Sequence, residues 1–183
     1  EYTAADERGR RERYLFRDSD RLGGLDHCLL GEHPEVGELE QLLLRRDGKT
    51  TIAACDTVDW PDFEVRGFMN DGGRNYMPLP LIARELDSMA QLKLNVYHFH
   101  FTENPGWRLE SKIYPELNAP ENYTRMPGKF YTQKEFKQLV EYCRLRNILL
   151  IPEMDMPGHS QMFRKALNVK MSDEKATKAL VAL

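Results

Sequence analysis

The chain has 183 residues, with 26 Lys and Arg against 29 Asp and Glu, for a net charge of −3. That length holds one domain with a substantial core, and the charge balance lacks both the basic excess of a nucleic-acid binder and the like-charge block of an interaction tail. No apolar run approaches the ~20 residues of a membrane span, and no secretory signal is visible. The first residue is Glu1 rather than Met, so the expected start of the gene lies elsewhere. Cys28, Cys55 and Cys143 are odd in number and widely spaced. They read as buried free thiols rather than a disulfide framework, and they leave the compartment open.

Residues 1–34 carry many charges and little periodicity, and the segment GRRERYLFRDSDR reads as a strand with flanking loops. The spacing of Leu39, Leu42 and Leu43 predicts a helix over 36–46, ended by Asp47-Gly48. Residues 50–55 read as a strand. Trp60-Pro61-Asp62 breaks the chain, and a boundary is placed there, separating an N-terminal α/β segment (1–59) from the rest (60–183). A short strand at 65–70 is followed by Asp71-Gly72-Gly73. An amphipathic helix at 79–93 carries Ile82, Leu86 and Met89 on one stripe, with proline in its first turn. Residues 95–101 (NVYHFHF) form a strand, and a Pro-, Gly- and Asn-rich loop runs to about residue 129. Thr132 and Glu135 make a capping box for a helix whose buried face holds Phe136, Leu139, Val140 and Cys143. A strand at 148–153 ends at Pro157-Gly158, and Ser172 reads as the N-cap of a last helix.

This alternation of strands and helices predicts an α/β fold with a parallel sheet and helices packed outside it. No glycine-rich phosphate loop is present, so no nucleotide cradle is expected. Side chains alternate along a strand. In NVYHFHF, Val96, His98 and His100 share one face, while Tyr97, Phe99 and Phe101 share the other and suit packing against helices. In the third strand Leu149, Ile151, Glu153 and Asp155 share a face. If these strands belong to one barrel, Glu103, Glu153, Asp155 and His159 converge at one mouth, and Asp71 ends at the same level. Such charges at the ends of buried strands are expensive unless paired or used. His98 and His100 read either as satisfied interior histidines or as site residues. Glu153 reads as either structural or functional, Asp155 as a turn support or a site group, His159 as a helix cap or a site group, and Trp107 as a packing residue or a site group. H-x-H with Asp, Glu and His also keeps open the ligand supply of a metal-dependent hydrolase.

RGFMNDGGRNYMP, KLNVYHFHFTENPGWRLESKIYPEL, FYTQKEF and IPEMDMPGHS together resemble, in order, the catalytic barrel of family 20 glycoside hydrolases, the β-N-acetylhexosaminidases. The resemblance covers roughly residues 60–170. It implies a partial (β/α)₈ barrel of about three strands, preceded by a remnant of a small α/β domain. It also implies hydrolysis of terminal β-linked N-acetylglucosamine or N-acetylgalactosamine with substrate-assisted retention, in which the sugar's own acetamido oxygen attacks the anomeric carbon. By position, Arg66 resembles the arginine that binds hydroxyls of the terminal sugar. Glu103 occupies the first acidic position after H-x-H, and the resemblance implies that it joins His159 and Asp155 in a supporting catalytic network and, with Arg66 and His159, contacts the substrate. His159 matches the histidine that supports the general acid, with Asp155 beside it.

No cofactor is implied. The implied partner is a terminal β-N-acetylhexosaminide of a glycan, with no nucleic acid and no membrane span, and a secreted, periplasmic or lysosomal location is expected. The chain departs from the family pattern at Glu103-Asn104, where Asp-Asp is usual, and at Asn75. The family's catalytic Asp-Glu pair has no counterpart before Leu183. Asp173-Glu174 reads as a helix start, so the chain as given is expected to hydrolyse little. An open three-stranded sheet is expected to need another copy or another barrel half. The alternative is a non-catalytic carbohydrate-binding or assembly fragment.

Overall fold

The computed structural model describes residues 12–15, 42–52, 54 and 56–183. It divides into two compact units, Glu1–Arg66 and Gly67–Leu183. In the first, β1 (Glu12–Leu15) pairs antiparallel with β4 (Asp56–Asp59), and β2 (Leu43–Arg46) pairs antiparallel with β3 (Lys49–Ile52). The strand expected within GRRERYLFRDSDR is therefore present. The helix expected over 36–46 is not, where it can be seen: Leu43–Arg46 is a strand, and 36–41 lie outside the described residues. Asp47 and Gly48 both take positive φ, 52° and 73°. That is the two-residue turn which folds a strand back on its neighbour, and it overrides the helical spacing of the leucines. Of the strand expected at 50–55, β3 shows residues 50–52, residues 53 and 55 lie outside the described residues, and β4 follows. Cys28 and Cys55 fall outside the described residues.

The second unit carries the sheet on which the chemistry stands. Strands β5 (Gly67–Asp71), β6 (Val96–His100) and β9 (Leu149–Glu153) lie in the order β5-β6-β9, and both pairings are parallel. Helix α1 (Leu79–Gln91) joins the first two strands, and helix α2 (Gln133–Arg144) lies between the second and third. Parallel neighbours need such crossovers, so the sequence's alternation translates directly into topology.

The register places Gly67, Val96 and Leu149 side by side, then Met69, His98 and Ile151, then Asp71, His100 and Glu153. Every side chain in these rows faces the same way. On the opposite face Tyr97 and Phe99 are fully buried, packed with Phe101 against Ile82, Leu86 and Met89 of α1 and Leu139 and Cys143 of α2. Burial of one such side chain is worth about 1.5–3 kcal/mol, so this aromatic face holds the helices in place. The Cys143 thiol is free and buried, and burial pushes its pKa up to about 12. It is a packing residue.

Local signals fix the element ends. Thr132 accepts from the Glu135 N–H at 3.2 Å, and the Glu135 carboxylate accepts from the Thr132 N–H at 2.7 Å, the expected capping box. Lys93 and Asn147 take left-handed φ of 57° and 54° just past α1 and α2. Leu94 and Ile148 then donate back to Met89 and Cys143 at 2.9 and 3.0 Å, closing each helix and aiming the chain into the next strand.

The long loop is more ordered than its composition implied. It holds the hairpin β7 (Thr102–Glu103) and β8 (Gly106–Trp107) and the 3₁₀ turns Pro115–Asn118 and Pro120–Asn122. Two-residue strands are too short to show a period. After β9 come α3 (Gln161–Leu167) and α4 (Glu174–Ala182). The N-cap of α4 is Asp173 rather than Ser172, and exposed Glu174 pairs with Lys178 at 2.8 Å. A second core gathers Trp107, Leu117, Tyr123, Met162, Phe163 and Leu167. Trp107 packs there, 3% exposed. Among the described residues no helix is long and apolar enough to cross a membrane.

Candidate active site at the strand ends

Asp71 is the last residue of β5, His100 of β6 and Glu153 of β9. A parallel sheet therefore presents all three at one edge, and the loops beyond add Arg74, Glu103, Asp155 and His159. Helices cover the other face of the sheet, so this is the end and face where polar side chains gather.

The centre of the group is Glu103. Its side chain is only 3% exposed, and His159 Nδ1 lies 2.8 Å from Oε1 and 2.7 Å from Oε2. A buried carboxylate needs such a partner. The hydrogen bond and charge of Glu103 raise the His159 pKa above the ordinary 6.5, with Asp155 adding and Arg74 opposing. Their pairing therefore holds fully below pH 6.5 and is lost as pH rises through the elevated value. A titration of the His159 ring signals by NMR is expected to give a pKa above 6.5, returning toward 6.5 in Glu103→Gln. A value at or below 6.5 in the unaltered protein would break this part of the account.

Backbone shape delivers both partners. His159 has φ of 45°, a left-handed conformation that few non-glycine residues adopt, and this turns its ring back toward Glu103. Gly73 lies against Glu103: a Cβ there would stand 2.7 Å from the Glu103 Cβ and 3.0 Å from the Thr102 carbonyl carbon. Only glycine permits that approach. Asn104 Oδ1 accepts from the Gln161 N–H at 3.1 Å, which ties the β7–β8 turn to the start of α3 just after His159. The departure from Asp-Asp is thus absorbed, with Glu103 reaching the histidine and Asn104 serving the helix.

Arg74 joins the cluster to β5. Its Nη1 contacts Asp71 Oδ2, its backbone N–H donates to Asp71 Oδ1 at 2.8 Å, and its Nη2 is 3.4 Å from Glu103 Oε1. Its pKa is raised, chiefly by the Asp71 hydrogen bond. The guanidinium remains 48% exposed, so it can also meet a ligand. His100 is 3% exposed and stands between two carboxylates, Asp71 at 3.5 Å and Asp155 at 3.8 Å. Its ring meets that of His159 edge-on at 6.3 Å. The Asp155 N–H donates to Thr102 Oγ1 at 3.1 Å. His98 Nε2 lies 2.6 Å from Glu153 Oε2, so neither is an isolated interior group.

Of the residues expected from the sequence, Glu103, His159 and Asp155 come together with Asp71, His98, His100 and Glu153. Arg66 belongs to the N-terminal unit, one residue before β5 begins, and its Nη1 donates to the carbonyls of Phe63 at 2.5 Å and Glu64 at 3.4 Å. Two arginines lie inside the matched motifs but carry no assigned role in the sequence. Arg74 was signalled by its place three residues after a strand-ending aspartate, an acid–base spacing. Arg108 is fully buried. Its Nε donates to the carbonyls of Gly72 and Gly73, both at 3.2 Å, Nη1 to Met126 at 3.1 Å and Lys129 at 2.9 Å, and Nη2 to Arg125 at 3.0 Å. Burial lowers its pKa, yet a guanidinium keeps its proton. The signal for it was Gly106, where a Cβ would stand 2.6 Å from the Arg108 Cζ.

The sequence model of glycosyl hydrolase family 20, catalytic domain, matches residues 63–181. A β-hexosaminidase of Vibrio furnissii is 35% identical over 147 residues, covering 72% of this chain and 24% of that protein. Among solved structures, a chitobiase of Flavobacterium johnsoniae is 31% identical with a TM-score of 0.72, covering 80% of this chain and 25% of that one. An exo-β-N-acetylglucosaminidase of Vibrio harveyi, in complex with N-acetylglucosamine, is 30% identical with a TM-score of 0.69, covering 77% and 25%. The chain spans about a quarter of the length of these relatives. The family match takes in nearly all of the unit whose strand ends carry the paired Glu103 and His159, and the chain belongs to glycosyl hydrolase family 20.

Proposed function

We propose that this chain supplies part of the catalytic barrel of a β-N-acetylhexosaminidase that removes terminal β-linked N-acetylglucosamine or N-acetylgalactosamine by substrate-assisted retention. The reading divides the chain into an N-terminal α/β segment (1–59), a remnant of a small non-catalytic domain, and the first three strands of a (β/α)₈ barrel (60–183). The observation that carries it is the Glu103–His159 pair at the C-terminal edge of a parallel sheet, where barrel enzymes keep their chemistry. In this reading His159, Glu103 and Asp155 support and orient the groups that transfer the proton. A hydrogen-bonded network of this kind keeps an acid's pKa near working pH.

Met69, Leu149 and Ile151 on the histidine-bearing face are 48%, 62% and 42% exposed. Apolar side chains between two open sheet edges support burial by further barrel strands, or by a second copy of the chain.

For the sugar-binding arginine two candidates stand. The family resemblance assigns Arg66. The geometry favours Arg74, half-exposed beside Glu103 and Asp71. The test is release of a chromophore from an aryl β-N-acetylglucosaminide by the complete barrel of which this chain supplies a part. Arg74→Ala is expected to raise KM by about 10-fold or more, the loss of one charge-assisted contact to a hydroxyl, and Arg66→Ala by much less. The reverse order returns the role to Arg66, and a complete barrel containing this chain that releases no chromophore contradicts the proposed activity, whereas the 183 residues alone are expected to release little.

A further inference from the structure

We propose that the ends of β6 and β9 form a first-row divalent cation site, suited best to Zn²⁺, with His100 Nε2 and one oxygen each of Glu153 and Asp155 as ligands. An ion held there would suppress the glycosidase reaction rather than drive it. The three ligand atoms already lie within 4.8 Å of one another. Zinc takes nitrogen and oxygen ligands at about 2.0–2.2 Å in a tetrahedron, so the atoms must close to about 3.4 Å. Small rotations of Glu153 and Asp155 achieve this, because their side chains are 31% and 28% exposed.

Three independent features point to a ligand. The first is His100: it is 3% exposed, and neither ring nitrogen has a hydrogen-bond partner. The flanking Asp71 and Asp155 oxygens, at 3.5 and 3.8 Å, are too distant to bond it. A buried imidazole in that state is costly, and an ion on Nε2 would satisfy it. The second is the outer ring of contacts. His98 holds Glu153 at 2.6 Å, and Asp71 faces the opposite nitrogen of His100, the arrangement that orients metal ligands. The third is charge. Asp71, Glu103, Glu153 and Asp155 converge here, and among the described ion pairs the one permanent cation set against them is Arg74. The mixed imidazole and carboxylate donors suit zinc or copper better than calcium or magnesium, which favour oxygen alone.

Suppression follows from position. The reaction proposed above needs no ion. A double positive charge here draws Asp155 toward His100 and away from the Glu103–His159 network it is proposed to support. This second half rests on the proposed activity, while the binding half does not.

The experiment is calorimetric titration of the intact, chelator-treated protein with zinc chloride, alongside the aryl glycoside assay. One zinc per chain with micromolar affinity is expected, with affinity falling by about 30-fold or more in both His100→Asn and Asp155→Asn, and by about 10-fold in His98→Ala, whose contact is indirect. Glu141→Gln, exposed on α2, should bind as the unaltered protein does, and circular dichroism identifies any variant that fails to fold. Chelator should leave turnover unchanged or higher, and zinc should lower it. No zinc binding below about 1 mM, or binding untouched in both His100→Asn and Asp155→Asn, would overturn the site. Turnover lost to chelator and restored by zinc would overturn the suppressive role. A protein that binds zinc and turns over nothing in either state would leave the site standing and remove the glycosidase reading.

Discussion

Replacing Arg108 with methionine is expected to cost the C-terminal unit about 4 kcal/mol or more, enough to unfold a marginal domain. Methionine fills much of the volume, so the loss isolates the polar role. The guanidinium is fully buried and donates to five backbone carbonyls. Those oxygens come from the turn after β5 and from residues 125–129, two segments with no regular ladder between them. Removing the donor leaves several carbonyls dry and unpaired. Arg108→Lys should fare little better: an ammonium brings three donors and no planar fork. Urea denaturation of the intact protein checks this. A midpoint shift worth less than about 1 kcal/mol in Arg108→Met would show that the carbonyls find other donors.

The second large effect is on activity. Glu103→Gln preserves shape but removes the charge that holds His159, and kcat for the aryl glycoside is expected to fall by about 100-fold. His159→Ala should fall by a similar factor, because it leaves Glu103 buried, 3% exposed, without its imidazole. In both variants KM should move less than kcat, since neither residue is the group proposed to grip the sugar. A fall in kcat of less than about 3-fold in either would remove the pair from the catalytic machinery.

Much of this arrangement was legible in the sequence because it rests on two short-range rules. Alternation in NVYHFHF separated the buried Tyr97 and Phe99 from His98 and His100, and the structure keeps that separation. The Thr132–Glu135 box fixed the start of α2. What could not be read depends on contacts distant in sequence or on the competition of two local rules. The leucines before Asp47 have helical spacing, but the turn at Asp47-Gly48 and the pairing of β2 with β3 decide otherwise. The hairpin at Thr102–Trp107 is too short for any period to announce. Arg108 looks like an ordinary surface arginine until the loop that closes over it is in place. Arg74 is partly legible from Asp71 three residues before it, but its other partner, Glu103, lies 29 residues away and meets it only once β5 and β6 pair.

The central claim is that Glu103, from β7, and His159, from the turn before α3 56 residues later, act as one unit at the sheet's edge. A double-mutant cycle on kcat tests it most directly. If they are one unit, Glu103→Gln in the His159→Ala background should cost almost nothing further, and the double variant should match the weaker single one. Two full losses that multiply would mean the residues work independently, and the site built here would be wrong.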